Sequence, residues 1–315
     1  MPVISVIICT HNPRADYLQR VLEALKEQTL PREQWELLLI DNASKQPLAE
    51  TWDLAWHPQA RHIRENELGL TAARLRGIKE AQGTLLVFVD DDNILLPDYL
   101  ERAWEIHSKT PMMEVIGSGN IIGEFETPPP AWMKPYLPML AIRELERDLW
   151  SNDPARLGIY PCGAGLCVTK KVGLAYSDLL RKDPFRKQLG RCGSALTSGE
   201  DDDICFMAGS LGLGVGMFKS LSLKHLIPAG RLKDSYFFRL AEGMSYSGYI
   251  LAYLWQRPGL PPVHTLRWRF GHWRRKHTMP PIQRGFAAAQ FRAEARAWEA
   301  IRAIQSAVAA NHHNE

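Results

Sequence analysis

The 315-residue chain contains no CxxC pair, and its five cysteines (Cys9, Cys162, Cys167, Cys192 and Cys205) are an odd number. A disulfide framework is therefore disfavoured, and free thiols in a reducing compartment are expected. No run of about 18 apolar residues occurs, so no membrane-spanning helix is expected. Met1 leads almost at once into an apolar strand, with no signal-peptide pattern, and a cytoplasmic setting follows as an expectation. A large excess of one charge is also missing. The net charge of +3 is too small to imply a nucleic-acid binder. There is no internal repeat or low-complexity tract, and the length suits one large α/β domain with a smaller appendage.

What the chain does have is strand–helix alternation through its first half. Val3 to Cys9, Trp35 to Ile40 and Leu85 to Val89 are apolar strands, with a shorter one near His62-Ile63 and another at Val115-Ile116. Helices are expected over 15–28, where Leu18, Val21, Leu22 and Leu25 share a face, over 71–82, and from Pro97 to about His107. This alternation implies a parallel sheet with right-handed crossovers. Five prolines between 125 and 138 then imply a loop with little room for helix. Further strands are expected at 166–169, 215–219 and 222–227, with helices near 202–212 and 235–255.

Three carboxylates, Asp90-Asp91-Asp92, close the strand Leu85–Val89. Such a cluster is costly unless a cation sits among them, and strand ends in a parallel sheet are where ligands bind. A hard divalent metal shared with a phosphate-bearing ligand is the natural reading. At the same edge the first strand ends in Thr10-His11-Asn12-Pro13 and the second in Asp41-Asn42-Ala43-Ser44. Asp41 suits the imide N–H of uracil or thymine and disfavours cytosine; the alternative is a turn cap. In Asn66-Glu67-Leu68-Gly69-Leu70-Thr71-Ala72-Ala73-Arg74, Gly69 permits a tight turn, Thr71 can start the helix, and Arg74 either reaches a diphosphate or pairs with a surface carboxylate. Gly199-Glu200-Asp201-Asp202-Asp203 opens a helix whose N-terminus favours anions, so Asp201 can accept a proton; an acid-rich first turn is the plainer reading.

Taken together, ISVIICTHNP at 4–13, LLLIDNAS at 37–44, ENELGLTAARLRGI at 65–78, LLVFVDDDN at 85–93 and GEDDD at 199–203 resemble the inverting glycosyltransferases of family two. The resemblance implies a GT-A fold: an α/β, Rossmann-like, mostly parallel sheet flanked by helices, here with a helical C-terminal extension. It implies donor contacts at Thr10, His11, Asn12, Asp41, Asn66, Arg74, Asp90 and Asp91, with Asp41 on the nucleobase. It implies a Mn2+ or Mg2+ cofactor on Asp90 and Asp92 and a catalytic base at Asp201. Leu75 departs from the Asn that many members carry after the Arg. Relatives often place a His near Lys224-His225-Leu226, so His225 is a candidate metal ligand, or else a packed histidine. Glu200, Trp132 and Gly163 are candidates on the acceptor side; Trp132 could instead anchor its loop, and Gly163 could serve tight packing.

The expected organisation is a transferase domain over 1–230, with a donor half of about 1–118 and an acceptor half of about 119–230, followed by a basic helical extension over 231–315. Residues 257–311 hold ten basic and two acidic residues, and Trp268, Phe270 and Trp273 lie within the basic run. That composition suits either an anionic membrane surface, on the inner face of a membrane, or a helix packed on the enzyme or a second subunit. The expected partners are a nucleotide-sugar donor, UDP-linked by preference, and a glycan or lipid-linked acceptor, with no nucleic acid. One rival is a sugar nucleotidyltransferase, but no glycine-rich phosphate loop follows the first strand. The other is a non-catalytic sugar-nucleotide or membrane-binding module, against which Asp201 and the acidic run argue.

Overall fold

The computed structural model describes residues 1–193, 195–257, 263 and 265–312, so the expected breaker at 258–262 lies outside the described residues. The chain divides into two compact units: Met1–Lys187 with Glu200–Ala229, and Gln188–Gly199 with Gly230–Glu315.

The first unit is built on one mixed sheet. Its strands are β1 (Ile4–Thr10), β2 (Trp35–Asn42), β3 (Ala60–Glu65), β4 (Leu85–Asp90), β5 (Asn93–Leu95), β6 (Met113–Phe125), β7 (Arg143–Glu144), β8 (Leu149–Ser151), β9 (Cys167–Thr169) and β10 (Gly214–Ile227). The order is β3-β2-β1-β4-β9-β6-β10-β5. Strands β3-β2-β1-β4 are mutually parallel, as are β6 and β10. The short β9 runs antiparallel to both β4 and β6 and joins the two parallel blocks. β1, β2 and β4 are buried almost throughout because both faces are covered.

Helices α1 (Ala15–Lys26), α2 (Leu70–Glu80), α3 (Tyr99–Lys109), α4 (Pro154–Leu157), α5 (Lys170–Lys182) and α6 (Glu200–Ser210) flank this sheet. On α1 the buried positions include Leu18, Val21, Leu22 and Leu25, the face that the spacing predicts. Each such side chain contributes roughly 1.5–3 kcal/mol by leaving water.

Three local expectations change. The strand at Val115-Ile116 extends to thirteen residues, because pairing with β10 carries it past the polar and glycine positions that ended the apolar run. The strands expected at 215–219 and 222–227 are one element, β10, interrupted in register between Phe218 and Ser222. The proline-rich loop contains a 3-10 helix, Ala131–Leu140, in which Pro135 and Pro138 sit three residues apart. The fixed φ of proline suits that tight turn, and the buried Met133 and Leu140 anchor it.

The second unit is helical: α7 (Asp234–Leu254), α8 (Leu266–Thr278) and α9 (Pro281–His312). Ala289, Ala293, Ala297, Ile301 and Ile304 form a buried stripe on α9. Glu242 of α7 binds Arg292 and Arg296 of α9.

Candidate active site

Because β1, β2 and β4 are parallel, their C-terminal residues share one sheet edge. Register aligns Thr10 with Asp41, Asp41 with Arg64, and Cys9 with Asp90. The Thr10 hydroxyl donates to Asp91, which ties the end of β1 to the acidic run.

Asp41 is nearly fully buried. Its carboxylate accepts the Ser44 N–H at 3.0 Å, the Leu48 N–H at 3.1 Å and the Arg64 guanidinium at 2.5 Å. Burial pushes this carboxyl up, but the bonds from Ser44, Arg64 and Leu48 outweigh it and hold its pKa below the ordinary value. The carboxylate therefore stays ionised and remains an acceptor.

The neighbouring turn is a second network. His11 Nδ1 meets the Asn42 carbonyl at 2.7 Å, and the Asn12 amide N–H donates to Ser44 Oγ at 2.9 Å. Asn12 takes φ 48°, a left-handed conformation in which Asn is among the better tolerated residues. Asn42 donates to the Glu67 carbonyl at 2.7 Å and accepts from the Gly69 N–H at 2.8 Å, so it fixes the loop that carries Asn66, which is exposed.

Arg74, on α2, is the centre of the site. It is buried, with Nη1 3.5 Å from Glu200 and Nη2 3.9 Å from Asp90. Burial opposes its charge, but Glu200, Asp90 and Asp201 together raise its pKa and keep it cationic. Its partner Glu200 is buried as well, not a surface carboxylate, and also accepts the Thr71 hydroxyl at 2.7 Å. One guanidinium thus joins the acidic end of β4 to the acidic start of α6. Gly163 lies against it: a Cβ there would stand 2.5 Å from Arg74 Nη2.

The four acids that open α6 have separate surroundings. Asp201 accepts the Gly163 N–H at 2.8 Å and the Asp202 N–H at 3.2 Å. Asp203 is fully buried and held by Arg186 and, at 3.1 Å, by the Tyr176 hydroxyl. Burial and the Asp201 charge push the Asp202 carboxyl well up. Glu200 is likewise raised by burial, with Arg74 and Thr71 opposing. Asp201 is half-buried and accepts backbone N–H groups, which leaves its carboxyl oxygens further acceptor positions.

At the other side of the acidic run, Asp92 and His225 approach to 3.4 Å. His225 Nδ1 is 2.9 Å from the Leu140 carbonyl, and since a carbonyl only accepts, Nδ1 carries the hydrogen. In the neutral imidazole Nε2 then directs a lone pair toward the Asp92 carboxylate, an arrangement that suits a cation between them. Asn93, whose amide donates to Asp92 at 2.8 Å, has a buried Oδ1 with no hydrogen-bond partner. These donors fit a hard cation. Among the described residues no three His, Cys, Asp or Glu side chains gather at one cation position, so Asp90 does not join Asp92 and His225 in a ready-made cage. A site completed by diphosphate oxygens and water needs only one or two protein carboxylates.

Trp132 and Tyr136 are partly exposed on the 3-10 helix, with ring centroids 6.1 Å apart.

The glycosyl transferase family 2 model matches residues 5–155. Over those residues the chain is similar to glycosyl transferase family 2. Glycosyltransferase AglE of Haloferax volcanii is 33% identical over 131 residues, covering 41% of this chain and 41% of that protein. The putative teichuronic acid biosynthesis glycosyltransferase TuaG of Bacillus subtilis is 28% identical over 108 residues, covering 33% of this chain and 41% of that one. The chain therefore spans about two fifths of the length of each relative. The crystal structure of S. aureus TarS 1-349 superposes with a TM-score of 0.50 at 16% identity, over 96% of this chain and 91% of that one. The fold is of the GT-A type.

Within this site, sequence reasoning missed Arg64, Thr71 and Asn42. Arg64 had only strand register to reveal it, since its place beside Asp41 depends on how β3 pairs with β2. Thr71 marks a helix start in the sequence, and its bond to Glu200 spans a distance that no local pattern encodes.

Proposed function

We propose that this chain is a metal-dependent, inverting glycosyltransferase that moves a sugar from a UDP- or dTDP-linked donor to a hydroxyl acceptor in surface polysaccharide or glycolipid synthesis. The observation that carries this reading is the Arg74 bridge between Asp90 and Glu200, which joins the proposed donor carboxylate Asp90 through one buried cation to Glu200, the neighbour in sequence of the proposed base Asp201. The family match and the AglE and TuaG likenesses support sugar transfer as the reaction class.

In this reading Asp41 accepts the imide N–H of the base. Asp92 and His225 would hold Mn2+ or Mg2+, and Asp90 would serve the donor. The bound ion would supply Lewis-acid stabilisation of the departing diphosphate. Asp201 takes the acceptor proton as the hydroxyl attacks the anomeric carbon. Its neighbours are unsuited to proton acceptance. Glu200 is engaged by Arg74 and Thr71, Asp203 by Arg186 and Tyr176, and Asp202 holds its proton more tightly. Direct attack by the acceptor hydroxyl, with Asp201 as the single base, displaces the diphosphate with inversion. Partly exposed Trp132 offers a stacking face to an acceptor sugar.

The test is UDP release from UDP-sugars with and without Mn2+. Metal-dependent release that increases with an added acceptor supports the reading. Formation of a nucleotide sugar from a sugar phosphate would favour a nucleotidyltransferase, and binding without turnover a non-catalytic module.

A further inference from the structure

Helix α8 carries no acidic residue, and five of its thirteen residues are Arg or Lys. Its aromatic residues divide between two faces. Trp268 turns inward: its ring stacks on Phe291 of α9 at 4.1 Å and its indole N–H donates to Glu294. His272 stacks on the same Phe291 at 3.7 Å. These two lie four residues apart on the face that meets α9.

The opposite face has the reverse composition. Leu266, Phe270 and Trp273 follow helical spacing and are 86%, 62% and 56% exposed. Phe270 and Trp273 stack on each other at 5.7 Å, giving a continuous apolar ridge. At 100° per residue, Arg267 and Arg274 flank this ridge on one side and Arg269 and Lys276 on the other. All four are exposed.

We propose that this face of α8 is a docking surface for an anionic lipid bilayer. An apolar ridge between two rows of cations is the pattern of a helix lying in a membrane interface. The ridge enters the headgroup boundary while the long basic side chains reach the lipid phosphates. Charge complementarity selects this occupant over a second copy of the chain. Pairing two such faces would bring both sets of cations together, with no acid on α8 to offset them. The docking would hold the chain at the surface where lipid-linked acceptors reside, and it does not depend on the transfer chemistry.

The experiment uses the full chain with vesicles of phosphatidylcholine alone and of phosphatidylcholine with phosphatidylglycerol, read by co-sedimentation. Binding should occur only with the anionic vesicles and weaken at high salt. Each surface cation strengthens such binding about five-fold, so R267Q/R269Q/R274Q/K276Q should weaken it by on the order of 10²–10³-fold. The variant F270S/W273S, which keeps every charge, should also lose binding, which distinguishes insertion from charge attraction alone. Circular dichroism and UDP affinity should be unchanged in both variants, and these readouts keep a failure here separate from a failure of the transferase reading. Indifference of the wild-type chain to anionic vesicles would overturn the proposal. So would undiminished binding by the quadruple variant. Concentration-dependent dimerisation in sedimentation velocity, lost in F270S/W273S and unaccompanied by vesicle binding, would overturn it in favour of a second copy.

Discussion

Arg74 Nη1 stands 3.5 Å from Glu200 Oε1, and both side chains are almost wholly buried. Removing the cation leaves Glu200 without its counter-charge in a place that water does not reach. Arg74→Met should therefore lower stability by about 3–5 kcal/mol, the range for breaking a buried pair from one side. Glu200→Gln should cost less, because Arg74 keeps Asp90 nearby. Urea midpoints of the two variants check both the size and the order.

The acids of α6 should separate by phenotype. Asp201→Asn keeps shape but removes proton acceptance, so donor binding should survive while turnover falls by roughly 100-fold or more. Asp203→Asn weakens the Arg186 and Tyr176 contacts and should appear as lost thermal stability instead. Near-normal turnover in Asp201→Asn would remove that residue as the base.

Asp202 predicts a pH dependence of stability. Burial and the Asp201 charge raise its folded pKa from the ordinary 3.8 to about 8. A raised carboxyl contributes its stability in full below the unfolded value, and that contribution is lost as pH rises through the folded one. Wild-type stability should thus decline between pH 4 and 8 by an amount that Asp202→Asn removes, leaving the variant relatively more stable at the alkaline end. Thermal melts of both proteins across this window measure the difference.

Metal linkage should show in donor binding. If Asp92 and His225 hold the cation, a chelator should weaken UDP binding to the wild-type chain. In Asp92→Ala and His225→Ala, UDP binding should already be weak and insensitive to the chelator. Calorimetry with and without Mn2+ reads this directly, and equal wild-type affinity in both conditions counts against a metal on these residues.

The nucleobase preference should follow Asp41. Its bonds to Ser44, Leu48 and Arg64 keep it ionised, hence an acceptor. A cytosine ring presents an acceptor where uracil presents a donor, and the mismatch costs about 1–3 kcal/mol, or roughly 5- to 150-fold. UDP should outcompete CDP by that factor, and equal affinities would remove Asp41 from the base contact.

The sequence by itself determined which residues meet at the sheet edge. Parallel strands end on one side, so apolar runs closing in Thr10, Asp41 and Asp90 had to bring those residues together. It also determined the buried face of α1 and the presence of helices in the tail, because a period of 3.6 is a local property. Only the tertiary structure decided that β9 lies antiparallel between β4 and β6, since a three-residue apolar run carries no direction. Only it showed Arg74 meeting Glu200, Arg64 meeting Asp41, and Trp268 turning inward while Phe270 and Trp273 face out. Each depends on packing between segments that local periodicity does not relate. The same holds for the four acids at 200–203, alike in the sequence, whose roles part only when Arg74, Arg186 and Gly163 arrive from distant elements to hold three of them differently.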